Sequence, residues 1–182
     1  MIKQRKLTVR DMCLVAIFTA IIAVCAQIQI PQPSGVPFTL QTWAVALAGL
    51  VLGPKRGTLA VLVYIMLGAA GVPVFAGFSG GVGVIMRHTG GFILSFPIVA
   101  LLAGFAVHKG GVFRTVLGLI AGSVVNFTAG LLWFEWIMEF GLPTSFGYAV
   151  APFIVTDIIR VSILPILYKS IKAAMQRAGL VI

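Results

Sequence analysis

Six runs of apolar residues, separated by short turns rich in glycine, proline and basic side chains, constrain this chain more than any other feature. They cover about 7–28, 39–52, 58–71, 90–107, 112–138 and 149–169. A helix rises 1.5 Å per residue, so about 20 apolar residues cross a hydrocarbon core of ~30 Å. The second and third runs are short by this measure, rising only about 21 Å as helices. They need flanking turns or a protein surround. With 60% of its 182 residues hydrophobic and 9% charged, the chain carries more apolar surface than a soluble domain can bury. The expected fold class is therefore all-α: an integral membrane protein of six transmembrane helices, in a single domain over residues 1–182. No internal repeat and no soluble domain is visible.

A net charge of +9 would suggest nucleic acid as the partner of a soluble protein. Here its distribution along the chain speaks differently. Of the 13 basic residues, Lys3, Arg5, Lys6, Arg10, Lys55, Arg56, Lys109, Arg114, Lys169, Lys172 and Arg177 fall on one side of a six-span arrangement. Arg87 alone falls on the other, and Arg160 lies inside a span. The positive-inside rule then puts both termini in the cytoplasm and makes the basic excess a topology signal, with a cell membrane as the expected location and no nucleic acid as partner. The first run continues to Ile30 without a small-x-small cleavage site, so it is expected to remain as a helix and not to be removed as a signal peptide. Cys13 and Cys25 lie on different faces of that helix, too far apart to bridge. No metal site is expected.

The first run also carries Cys13, Ala16, Ala20 and Ala23 at steps of three and four, a stripe of small residues that allows close helix approach in lipid. Packing within the bundle and docking of a partner fit this stripe equally well.

Asp157-Ile158-Ile159-Arg160 places an acid and a base one turn apart inside the last apolar run. A charge at bilayer depth costs at least roughly 2.5–3.5 kcal/mol on insertion scales, and residues three apart share a helix face. The pair is either a structural ion pair or part of a polar binding site facing the bundle interior; the second reading is preferred. Gln41, Asn126 and the loop residue Arg87 can converge on the same end, with Trp43, Trp133, Phe127 and Phe153 as apolar walls. Trp136 reads as an interfacial belt residue. Residues 29–37 hold three prolines and form a stiff cap. Residues 71–91 are glycine-rich yet too apolar for a solvated linker; Phe75, Phe78, Gly80 and Gly81 suggest a loop folded onto the bundle with its backbone close to a ligand. Such a pocket suits a small, mostly apolar molecule with a carboxylate and a hydrogen-bonding head.

Gly77-Phe78-Ser79-Gly80 matches the G-x-S-G string of intramembrane serine proteases, which also requires a histidine base. The two histidines are His88, nine residues on, and His108, expected at the opposite membrane face. No catalytic residue is therefore assigned, and a hydrolase using Ser79 stands only as the alternative class. The turn around Lys55 lacks the phosphate-loop pattern, so ATP, if used, is hydrolysed by another subunit.

The chain resembles the BioY family, the biotin-specific S components of energy-coupling factor vitamin transporters. The resemblance is carried by Val36-Pro37-Phe38-Thr39-Leu40-Gln41-Thr42, Leu52-Gly53-Pro54-Lys55-Arg56-Gly57, Leu67-Gly68-Ala69-Ala70-Gly71-Val72-Pro73-Val74-Phe75-Ala76-Gly77, Thr89-Gly90-Gly91-Phe92, and Pro152-Phe153 with Asp157 to Arg160. It implies a six-helix S-component bundle that captures biotin at the outer face, without a cofactor of its own. It further implies docking to a transmembrane T subunit and two ATP-binding subunits, with Ala16 and Ala20 touching the T subunit. Asp157 would accept from the ureido N–H groups, and Arg160 or Arg87 would pair with the valerate carboxylate. Capture of another vitamin is the alternative within the class. Three residues depart from the family pattern: Arg87-His88 replaces the usual Gly-Pro, and Arg160 stands where lysine is common.

Overall fold

The computed structural model describes residues 8–108 and 111–177; Lys3, Arg5, Lys6 and Lys109 of the charge argument lie outside the described residues. The chain runs α1 (Val9–Gln27), β1 (Gln29–Ile30), β2 (Phe38–Thr39), α2 (Gln41–Ala69), α3 (Val82–Ile85), α4 (Gly90–His108), α5 (Val112–Met138), α6 (Leu142–Ala149) and α7 (Ala151–Arg177). Among the described residues, five helices are long and apolar enough to cross a membrane: α1, α2, α4, α5 and α7.

The second and third apolar runs are one helix to its ends and two helices in effect. Gly53, with φ 79° and ψ 177°, breaks α2, and Pro54 follows as the first residue of the second limb, where its missing N–H costs nothing. In an unbroken helix Gln41 and Tyr64 would stand about 34 Å apart; their side chains are hydrogen-bonded at 2.9 Å. Near the break, a side chain at Gly57 would lie 2.7 Å from the Gly49 Cα. The limbs, 41–52 and 54–69, therefore fold back on each other as a hairpin. The second limb begins earlier than the hydropathy run at Thr58, which lengthens a segment that is too short by hydropathy alone.

Four further features differ from the sequence reading. Residues 71–91 contain the one-turn helix α3, and residues 142–149 form α6 where the hydropathy pattern predicts no element. The proline-rich cap is anchored by a two-residue antiparallel ladder, Gln29 with Thr39 and Ile30 with Phe38, a small β element in an otherwise helical chain. The last helix continues past Lys169 to Arg177.

Glycine sets the distances between helices. A Cβ at Gly49 would lie 2.1 Å from the Ala100 carbonyl of α4, and one at Gly104 would lie 2.4 Å from Pro54 N. Gly91 and Gly130 give α4 and α5 the same close approach, against Trp133 and Phe92. In lipid, where burial of apolar surface does not drive association, such backbone proximity supplies the packing contact. The main core joins α1, both limbs of α2, α4 and α5 around Ile22, Val45, Leu50, Tyr64 and Leu119. At its N-terminus α1 is capped by Thr8 and Asp11 in a reciprocal box, and Asp11 Oδ1 also pairs with Arg56 at 3.0 Å. This ties the start of α1 to the Gly53 break.

Candidate ligand cavity

At the end of the bundle away from the Gly53 break lies a cavity of about 230 Å³. Its walls come from the cap (Val36, Pro37), the start of α2 (Gln41, Thr42, Trp43), the glycine-rich loop (Phe75, Ala76, Ser79), the α3–α4 turn (Arg87, His88), and Asn126, Phe127, Phe153, Asp157 and Arg160. Six of the residues proposed from the sequence thus line one space: Asp157, Arg160, Arg87, Asn126, Gln41 and Phe75. Gly80 and Gly81 do not line it. Gly80 sits against the Val72 and Gly71 carbonyls, where a Cβ would approach to 2.5 Å, and Gly81 takes a φ of 94° just before α3. Both shape the loop, and the loop's share of the cavity wall is made by Phe75, Ala76 and Ser79. Trp133 is also absent from the walls; its indole N–H donates to the Arg87 carbonyl at 2.9 Å and supports the turn from behind.

The charged pair is the centre of the site. Arg160 is 3% exposed and forms an ion pair with Asp157, three residues earlier on α7. Its guanidinium also donates to Ser123 Oγ at 2.8 Å and, more weakly, to the Thr42 carbonyl at 3.4 Å. α7 is thereby joined to α5 and to the first limb of α2 through one side chain. Arg160 Nε is without a hydrogen-bond partner, and among the described residues it is the one side-chain nitrogen or oxygen with no accessible surface that is left so. A buried donor without an acceptor is rare, and here it lies on the residue that also carries the cavity's buried positive charge. Arg87 lies at the other pole: exposed, lining the cavity, and without a partner for its guanidinium among the described residues.

The loop that forms the third wall is held by residues that hydropathy does not single out. Gln27, at the last turn of α1, donates from Nε2 to the Val74 and Phe75 carbonyls at 3.2 and 3.1 Å, and its Oε1 accepts from Phe78 N–H at 2.8 Å. Tyr64 donates to the Val74 carbonyl at 3.2 Å, and its ring meets Phe75 edge-on. Gly68 leaves the room that Phe75 fills; a Cβ there would fall 2.2 Å from the ring. His88 Nε2 is hydrogen-bonded with the Gly35 carbonyl at 3.0 Å, joining the cap to the α3–α4 turn. Glu135 receives Ser145 Oγ at 2.5 Å and Gly141 N–H at 3.0 Å, which sets α6 in place. An amide or carboxylate inside an apolar run is the available signal for Gln27 and Glu135.

Ser79 gives its hydroxyl proton to the Ala76 carbonyl at 2.8 Å, while His88 is engaged with Gly35. The G-x-S-G string is therefore part of a loop fold, and its serine is not paired with a base among the described residues. Ala16 and Ala20 lie on the exposed side of α1, whose buried side is Val15, Phe18, Thr19, Ile22 and Ala26. Packing inside this bundle does not account for Ala16 and Ala20, whereas Ala23, at the end of the stripe, packs partly against the core.

Fold and cavity together define a multi-pass membrane protein with a ligand-sized, partly charged cavity at one end of its bundle. The model of the BioY family matches residues 1–177. A Pyrococcus horikoshii protein named "Probable biotin transporter BioY" is 44% identical over 83% of this chain and 89% of its own length. The Thermotoga maritima protein named "Biotin transporter BioY" is 38% identical with the same coverage. The solved S-component for biotin from an ECF-type ABC transporter superposes with a TM-score of 0.82, at 26% identity, over 91% of this chain and 92% of the solved one. The chain belongs to the BioY family.

Proposed function

We propose that the chain is the substrate-capture subunit of an energy-coupling factor vitamin importer and that it takes up biotin. The observation that carries this is the Asp157–Arg160 ion pair, with Arg160 only 3% exposed, lining a ligand-sized cavity. Biotin offers a ureido carbonyl that suits the cationic Arg160 and a ureido N–H that donates to Asp157. Its apolar ring suits Trp43, Phe75, Phe127 and Phe153. The exposed Arg87 is placed to meet the valerate carboxylate, since the guanidinium of Arg160 is already held by Asp157, Ser123 and Thr42.

The two limbs of α2 cross the membrane separately, which makes six crossings and returns the chain to the side where it began. Arg10, Lys55, Arg56 and Arg114 mark that side as cytoplasmic; the Asp11–Arg56 bridge and the contact of Gly104 with Pro54 support their grouping at one end. The cavity then opens outward. Ala16 and Ala20 present a smooth surface to the T subunit, and the two ATP-binding subunits of the same module supply the energy. The chain carries no cofactor and performs no covalent chemistry.

Calorimetric titration of the detergent-purified protein with biotin, beside thiamine and riboflavin, tests the reading. Saturable binding of biotin alone is expected. No heat and no thermal stabilisation with biotin would overturn it, and selective binding of another vitamin would move the protein to a different substrate.

A further inference from the structure

Two carboxamides line the cavity, Asn126 and Gln41, and each is 4% exposed. The nitrogen and oxygen ends of a carboxamide are told apart by what they touch. Asn126 lies 3.1 Å from the Phe92 carbonyl, which has no proton to give, so the end that meets it is Nδ2. The Ser95 hydroxyl gives its one proton to the same carbonyl at 2.9 Å, so its oxygen accepts from Asn126 Nδ2 at 2.7 Å. Both Nδ2 protons are thereby engaged on α4, and Oδ1 is left with no partner among the described residues.

Gln41 is fixed by the same logic. The Tyr64 hydroxyl stands 3.2 Å from the Val74 carbonyl and 2.9 Å from the Gln41 amide. Its single proton goes to the carbonyl, so its oxygen accepts from Gln41 Nε2, and Oε1 is the open end. The reversed amide would leave two oxygens facing each other without a proton. Asp157 adds a third acceptor, since its Oδ2 makes no hydrogen bond to a described residue.

The geometry points to Asn126 and Gln41 as fixed acceptors that, with Asp157, select a ligand head carrying N–H donors on both sides of a carbonyl: a cyclic urea, whose two N–H groups are shared among the three oxygens. Ser95 and Tyr64 are positioning residues that keep each amide from turning its NH2 inward. This inference rests on the biotin reading and adds to it what the cavity rejects: a head of the same shape in which a ring N–H has become an ether oxygen.

The test measures wild-type affinity for biotin and for the two cyclic-carbamate analogues, each with one ureido N–H replaced by oxygen. A loss of about 100-fold or more is expected for each analogue, because a site built to receive a donor rejects a ligand that lacks it. Asn126→Ala should weaken biotin about 10- to 30-fold while cutting the penalty for at least one analogue below about tenfold. Tyr64→Phe removes a hydroxyl that does not line the cavity but also holds the Val74 carbonyl of its loop wall; it should weaken biotin by up to about tenfold and narrow the discrimination, which mere loosening of the wall would not do. If Asn126→Ala does not fold, the wild-type series and Tyr64→Phe still decide. Carbamates that bind wild type within about threefold of biotin, or a full penalty retained in both variants, overturn the inference. Failure of biotin itself to bind wild type overturns the functional reading instead.

Discussion

Asp157→Asn keeps the size of the side chain and an oxygen facing Arg160 while deleting the charge. The Arg160 cation then remains 3% exposed, with only Ser123 and the Thr42 carbonyl to replace its counter-ion. Unit charges about 4 Å apart attract by roughly 4 kcal/mol at an effective dielectric constant of 20. Removing one partner of a buried pair costs about 3–5 kcal/mol by experience with such pairs. The variant should therefore lose about 3–5 kcal/mol of stability, seen as a lower midpoint of thermal unfolding in detergent. It should also lose biotin binding by more than about 100-fold in calorimetry, because the same carboxylate receives the ligand. The double variant Asp157→Leu, Arg160→Met separates the two effects. An apolar pair of similar volume often restores the stability of a broken ion pair, so its midpoint should return close to wild type while binding stays absent. A double variant that regains binding would refute the placement of the pair at the ligand, and an unchanged midpoint in Asp157→Asn would refute the estimate of its electrostatic worth.

Ala16→Leu and Ala20→Leu enlarge the exposed small stripe of α1; both should bind biotin as wild type does and co-purify poorly with the T subunit. Loss of binding in the solitary protein would count against a docking role. Gln27→Leu keeps the helix but deletes its bonds to Val74, Phe75 and Phe78. Biotin should dissociate about tenfold faster in stopped-flow measurements, with a smaller change in association, since loosening of a preformed wall acts mainly on the off-rate. Arg87→Ala should weaken biotin more than its methyl ester, with a coupling of about 1 kcal/mol because an exposed charge is screened. Equal loss for both ligands would show that Arg87 does not meet the carboxylate.

The membrane class, the Asp157–Arg160 pair and most of the cavity wall are legible in the amino-acid sequence alone. A charge pair three apart in an apolar run has few explanations, and Gln41 and Asn126 are polar residues among apolar ones. Hidden from that reading are groups whose meaning depends on a distant partner. Asp11 carries no signal of its ion pair, because its partner Arg56 lies 45 positions on. Gln27 reads as the end of a helix until the 74–78 loop closes over it. Gly80 and Gly81 read as ligand-facing because glycine-rich backbone close to a ligand and glycine-rich backbone close to itself have the same composition.

Hydropathy is enough to place the chain in lipid and to show where its helices run, because long apolar stretches have no other stable home. It does not tell which side of each helix faces inward. In a soluble protein the water-facing side of a helix is polar, and periodicity reveals the core. Here lipid and core are equally apolar. On α1, Ile17, Ile21 and Val24 face outward while Phe18, Ile22 and Ala26 are buried, and no property of the side chains tells the two sets apart. Tertiary packing makes that choice, through the glycine contacts that set helix spacing and the few polar bonds, such as Thr19 Oγ1 to the Ala60 carbonyl at 3.0 Å, that fix how each helix is turned.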